Sequence, residues 1–464
     1  MPSTRNLQKS GYNPIMTAAI KIAGTYAGAW SFRKNFASLF ERQQDTFGLI
    51  NGLRFMSFLW ILVFHNFFAY GIFAGKEQLL TLSDSISPAL WWIFNADKAV
   101  DMFFVISGFL ISLILFKEIS RTHDIRLGRF YFRRYLRLTP IYALLLFIYW
   151  VSGGRNHEYV WANFFYVNNF LSIDKMPLQW TWTLAVEEQF YLLLPLILLG
   201  VARMRSRPFM PVLCGLLALS FLIRLGVFYF LPDMWDSDYR AMLTDKALYP
   251  TFYENIYDNL VTRYGPFVCG AMAAWAYCFH FDNLQQWLQR HNRLRLALNL
   301  SAIALMIFFA GLPVFNQWLP ASSWWLRGYL VANRNLFAAG LAWFMLVAFL
   351  RVHHMDWLNR VLSWRLWQPF SQLTYSMYLV HMIVILMVMF QANHYFSHQE
   401  FADESSRIAA TLITGIGLSL LITLIIGVLC WVLVEKPFLN LRDAARTSQG
   451  ATHTGPIRHS LPND

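Results

Sequence analysis

Ten runs of largely apolar residues divide this chain, and they constrain its fold more than any other feature. At about 1.5 Å rise per residue, a helix of roughly 20 residues crosses the ~30 Å hydrocarbon core of a bilayer. The runs predict helices near 55–74, 89–116, 136–152, 182–202, 209–231, 260–280, 296–313, 330–350, 369–391 and 408–434. Only 14% of the residues are charged and 57% are hydrophobic, whereas a soluble chain carries about 25% charged residues. The expected fold is therefore an all-α polytopic membrane protein with about ten transmembrane helices.

The formal charge of +12 would fit nucleic acid, but the positions of the basic residues point elsewhere. If the N-terminus is cytoplasmic, the inner segments hold 27 Lys and Arg and the outer segments eight. That asymmetry is the orientation signal of a membrane protein and predicts both termini in the cytoplasm. No nucleic-acid partner is expected. No secretory signal is expected either, because the run from Ile15 to Trp30 is broken by Lys21. The spacing of Ile15, Ala19, Ile22 and Tyr26 suggests a helix lying on the membrane surface. Residues after Arg442 are polar and read as disordered. The domain reading is thus 1–50 as a cytoplasmic extension, 51–438 as the transmembrane domain and 439–464 as a tail.

Polar residues inside the apolar runs need a reason, since a charge at a helix centre costs at least about 2.5–3.5 kcal/mol on insertion scales. Arg54 and His65 are eleven residues apart, which is three helical turns plus about 20°, so they share a face about 16 Å apart. Taken singly, Arg54 could be an anchor at the cytoplasmic boundary and His65 a packing histidine. Asp101 and the pair Glu187 and Glu188 fall in the outer third of their helices on this reading; Asp101 could equally complement a helix dipole. Arg134 and Arg137 lie one turn apart, suited to gripping phosphates or to serving as an orientation signal. Glu187 and Tyr191 share a side, as do Thr374, Tyr378 and His381. Trp180 and Trp182 read as part of an aromatic belt.

Several chemistries find no support. His394 and His398 have ligand spacing but lack a third partner, and the four cysteines lie in apolar runs without CxxC spacing, so no metal is expected. Walker A, G-x-S-x-G and H-E-x-x-H patterns are absent.

Six segments in order resemble the acyltransferase 3 family of membrane acyltransferases: Gly52-Leu-Arg54 through His65, Val100 to Ile111, Arg134 to Tyr142, Trp182 to Tyr191, Tyr375 to His381, and Glu435-Lys-Pro-Phe438. Thr183 stands where the family usually has serine. Ser57, Trp60 and the extended N-terminus also resemble the nose-resistant-to-fluoxetine branch. The resemblance implies a ten-helix O-acyltransferase resident in a bacterial inner membrane. It would move an acyl group, often acetyl, from cytoplasmic acyl-coenzyme A to a hydroxyl on an extracytoplasmic glycan or lipid-linked acceptor. No permanently bound cofactor is implied; acyl-coenzyme A is a co-substrate. His65 would be the general base, Asp101 or Glu187 would support its ring, Arg54, Arg134 and Arg137 would hold the donor, and Tyr378, His381 and Tyr191 would contact substrate. The competing class is a transporter or flippase, which also uses intramembrane Arg, His and acidic residues.

Overall fold

The structure is a computed structural model that describes residues 28–41, 47–315, 324–352 and 356–442. The surface helix expected around 15–26 and the tail after Arg442 lie outside the described residues. Ten main helices follow one another among those described. They are α1 (Leu49–Ala74), α2 (Asp97–Thr122), α3 (Leu127–Val151), α4 (Trp182–Arg203) and α5 (Phe209–Phe230). Then come α6 (Gly265–Phe279), α7 (Asn292–Gly311), α8 (Trp324–Phe349), α9 (Trp367–Ser397) and α10 (Glu404–Cys430). Eight are long and apolar enough to cross a membrane. The other two depart for identifiable reasons: α3 carries Arg129, Arg133, Arg134 and Arg137 in its first half, and α6 has only 15 residues.

The helices pack as a band. α10 lies on α9, α9 on α1, α1 on α2, α2 on α6, α6 on α8 and α8 on α7, while α4 leans on α2 and α3 on the segment that follows α10. α1 and α9 run parallel in fixed register, with Phe55 stacked on Phe370, His65 on His381 and Phe73 against Phe390. In α2 and α8, 72% of the most apolar window is buried, against 22% in α5 and α7. The polar residues of the enclosed helices therefore face protein, and exposed side chains such as Phe147, Leu222 and Ile413 form the surface suited to lipid.

Two expected helices begin later than apolarity alone suggests. A 3-10 turn, Pro88–Asn95, precedes α2 because the Asn95 amide donates to the carbonyls of Ala310 (3.0 Å) and Leu312 (2.7 Å), tying this stretch to the end of α7. The expected helix over 260–280 splits into Leu260–Arg263 and α6, with Pro266 supplying a helix start that lacks an N–H. α4 likewise starts deep. The Tyr378 hydroxyl, within α9, donates to the Trp180 carbonyl just ahead of α4 at 2.6 Å. Trp182, expected at an interface, is buried against Phe104 and Tyr257 instead. Non-helical backbone is tolerated inside such a bundle when protein surrounds it.

The crossing of α2 and α6 depends on two glycines. A Cβ on Gly108 would collide with the Phe267 carbonyl, and one on Gly270 with the Val105 carbonyl, so the two backbones touch with no side chain between them. Gly108→Ala or Gly270→Ala should each force the helices apart at about 1–3 kcal/mol. A fall in the thermal unfolding midpoint of the detergent-purified variants checks this; an unchanged midpoint contradicts it.

Candidate active site

The site has two levels joined by α1. Register between α1 and α2 is set where the Ser57 hydroxyl meets the Met102 sulfur at 3.5 Å. Five residues further, about 7 Å along α2, Ser107 lies level with Arg54. Here the Glu187 carboxylate accepts hydrogen bonds from the hydroxyls of Ser107 and Tyr191 and lies 3.4 Å from the Arg134 Nη2. Glu188 is 3.9 Å from the same guanidinium, which rests 3.8 Å above the Tyr191 ring. The charges of Arg134 and Arg54 both bear on Arg137, and so does that of Glu435. A short π-helix, Trp431–Glu435, carries the Glu435 carboxylate inward to accept from Ser376 at 2.7 Å. Beside this cluster is a pocket of about 220 Å³ lined by Arg129, Arg133, Arg134, Arg137 and Arg442, together with Glu118 and Phe130.

At the other level, the His65 Nδ1 lies 2.9 Å from the His381 Nε2, with ring centroids 5.1 Å apart. His381 is fully buried and its Nδ1 is 2.5 Å from the Tyr378 carbonyl; His65 is half-buried. The Tyr378 ring stacks on His381 at 5.1 Å, and its hydroxyl bonds Thr183 (2.6 Å) as well as the Trp180 carbonyl. Phe58 and Trp180 meet the His381 ring edge-on.

Asp101 and Glu187, expected to share one outer depth and support His65, do neither. Asp101 lies level with Phe58, about 10 Å along the axis from His65, and Glu187 is roughly 9 Å further inward again at the level of Ser107. Asp101 is fully buried in a separate ionic cluster, 3.3 Å from Arg263 and 3.1 Å from Arg334; Asp97 binds Arg334 and Lys98 at 3.0 and 2.9 Å. Arg263 also faces the rings of Trp182, Tyr257 and Phe104. The ring partner of His65 is His381. The expected depth fails because α4 starts beside Tyr378 of α9, inside the bundle.

The acyltransferase domain profile matches residues 48–433, nearly the whole described bundle. The chain belongs to the acyltransferase 3 family. Within that family the nose resistant to fluoxetine protein 6 of Caenorhabditis elegans is 26% identical over 72% of this chain and 44% of its own length. The peptidoglycan O-acetyltransferase OatA of Listeria monocytogenes is 26% identical over 63% of this chain and 46% of its own. A putative O-acetyltransferase of Staphylococcus aureus is 37% identical over 23% of this chain and 21% of its own. The chain thus spans less than half the length of these relatives. No solved structure matches it.

All six family-like segments contribute to the two levels: Arg54 and His65 from α1, Ser107 from α2, Arg134 and Arg137 from α3, Glu187 and Tyr191 from α4, Tyr378 and His381 from α9, and Glu435 after α10. Sequence reasoning gave no role to Ser107, Glu435 or Arg442, although Ser107 and Glu435 lie in family-like segments. It also left Arg224, Arg263 and Arg334 unexplained. Asp101 and Asp97 account for the last two, while Arg224 donates to the carbonyls of Val331 (3.0 Å), Thr262 (3.1 Å) and Leu330. Asp101→Ala should strand the buried Arg263 guanidinium, leave Arg334 with Asp97 alone, and destabilise the fold by about 3–5 kcal/mol. Loss of monodisperse protein or a large drop in unfolding midpoint checks this, and a wild-type midpoint contradicts it.

Proposed function

We propose that this protein is a membrane O-acyltransferase that takes an acyl group, acetyl or another short chain, from acyl-coenzyme A. The receiving group is a hydroxyl on an extracytoplasmic glycan or lipid-linked molecule. The observation that carries the donor assignment is the arginine-lined pocket at one end of the site. Five guanidinium groups beside one carboxylate suit a donor with several phosphates, because each planar fork can grip phosphate oxygens in pairs. The excess of basic residues in segments on that side supports its facing the cytoplasm, where the donor is made, with both termini on the same side. The O-acetyltransferase names of two relatives support a hydroxyl acceptor and, for one of them, peptidoglycan.

The chemistry needs one base. Neutral imidazole titrates near physiological pH and suits general-base catalysis. In the proposed reaction His65 takes the proton of the acceptor hydroxyl, whose oxygen attacks the thioester carbonyl. The C–S bond breaks, and the departing thiolate recovers the proton from His65 as free thiol. Arg54, Arg134 and Arg137 hold the phosphates while the pantetheine arm spans the ~16 Å between Arg54 and His65.

Purified protein incubated with acetyl-coenzyme A and a polyol acceptor should release free thiol. His65→Ala should lower that rate by about 10²- to 10⁴-fold, and Arg134→Ala should raise the KM for the donor by about 10- to 100-fold. Thiol release that is unaffected in His65→Ala would contradict the base assignment. Substrate movement across vesicles without any thiol release would instead favour a transporter.

A further inference from the structure

His381 and Tyr378 were expected to contact substrate, but their polar atoms are already engaged within the protein. The arrangement has one consistent set of protons for neutral rings. A backbone carbonyl can only accept, so the His381 Nδ1, 2.5 Å from the Tyr378 carbonyl, carries a proton. A neutral imidazole has one N–H, which leaves the His381 Nε2 as an acceptor. The contact of 2.9 Å between that nitrogen and the His65 Nδ1 then requires the proton to sit on His65 Nδ1. The His65 Nε2 is left with a lone pair, and no described residue hydrogen-bonds to it.

We infer that His381 is a positioning residue that fixes the Nδ1-protonated tautomer of His65, directing its Nε2 toward the acceptor hydroxyl. This inference deepens the acyl-transfer reading and rests on it. A carboxylate can hold a catalytic histidine by accepting its Nδ1 proton, and a histidine in the wrong tautomer loses activity even when its geometry is kept. Here a second imidazole takes the carboxylate's place. The substitution suits a buried position, because a neutral acceptor avoids the desolvation that an ionised carboxylate would suffer. His381 is itself held by its ring stack on Tyr378, whose hydroxyl is tied to Thr183 and Trp180 at the start of α4. The chain of contacts thus runs from the first turn of α4 through Tyr378 and His381 to His65. When His65 accepts the acceptor's proton at Nε2, its Nδ1–H still points at the His381 lone pair, which stabilises the imidazolium until the thiolate recovers the proton.

The test compares His381→Leu, which removes the acceptor, with His381→Gln, whose side-chain carbonyl can accept the same proton. Nitrogen-15 spectra of histidine-labelled protein, assigned with His65→Ala, report which His65 nitrogen is protonated, and they need no turnover. In the wild type the proton should be on Nδ1. In His381→Leu the Nε2-protonated form should grow, kcat should fall about 100-fold or more, and the KM values for acetyl-coenzyme A and acceptor should hold. His381→Gln should recover most of the Nδ1 form and of kcat. A wild-type His65 protonated on Nε2 overturns the inference, as does a His381→Leu variant whose KM rises with kcat unchanged. If His381→Leu does not fold, the wild-type spectrum decides alone. Absence of thioester turnover in the wild type would sink the acyl-transfer reading and leave the tautomer measurement standing as a separate result.

Discussion

A charged or strongly polar side chain inside an apolar helical bundle has to find a partner there, because water is not available to solvate it. Most of this architecture can be understood as the consequence. Asp97 and Asp101 hold Arg334, and Asp101 holds Arg263, fastening α2 to α8 and to the segment before α6. Glu187 and Glu188 hold Arg134, fastening α3 to α4. The Glu435 carboxylate accepts from Ser376, fastening the segment after α10 to α9. These pairs contribute little net stability against an apolar alternative, but each makes one register of the helices far better than its neighbours.

The two kinds of ionic site differ in exposure. The cluster around Asp101 is closed: Arg263 and Asp101 have no accessible surface. The Arg134 cluster opens onto a pocket and keeps 15% of its guanidinium side chain accessible, so a phosphate can compete with Glu187 and Glu188 for it. The histidine pair repeats the pattern, with His381 enclosed and His65 half-buried. In the histidine pair an enclosed ring holds an accessible one in position.

How far this was legible in the sequence varied with the type of information required. The helices were legible because apolar runs of the right length have few alternatives, and the common face of Arg54 and His65 followed from helical geometry alone. Depth was not legible. Apolarity marks where a helix can be, but α4 begins where Tyr378 and Trp180 meet, so Glu187 falls level with Arg54 rather than near the outer boundary. Trp180 and Trp182 were misread for the same reason: tryptophan at a helix start suits a membrane interface equally well. Contacts across helices were invisible too. The common direction of α1 and α9 follows from their odd places in the chain, but nothing in a single chain announces that they pack in a register that places His65 against His381, and the partners of Asp101 lie over 150 residues away.

The central claim is that a polyphosphate thioester spans the site from the arginine pocket to His65. An electron cryomicroscopy map of the protein with a non-hydrolysable thioether analogue of acetyl-coenzyme A tests it most directly. The account predicts phosphate density among Arg129, Arg133, Arg134 and Arg137, with the acyl carbon close enough to His65 Nε2 for an intervening hydroxyl to attack at roughly 3–3.5 Å. Phosphates bound elsewhere, or an acyl group lying away from the histidine pair, would contradict it.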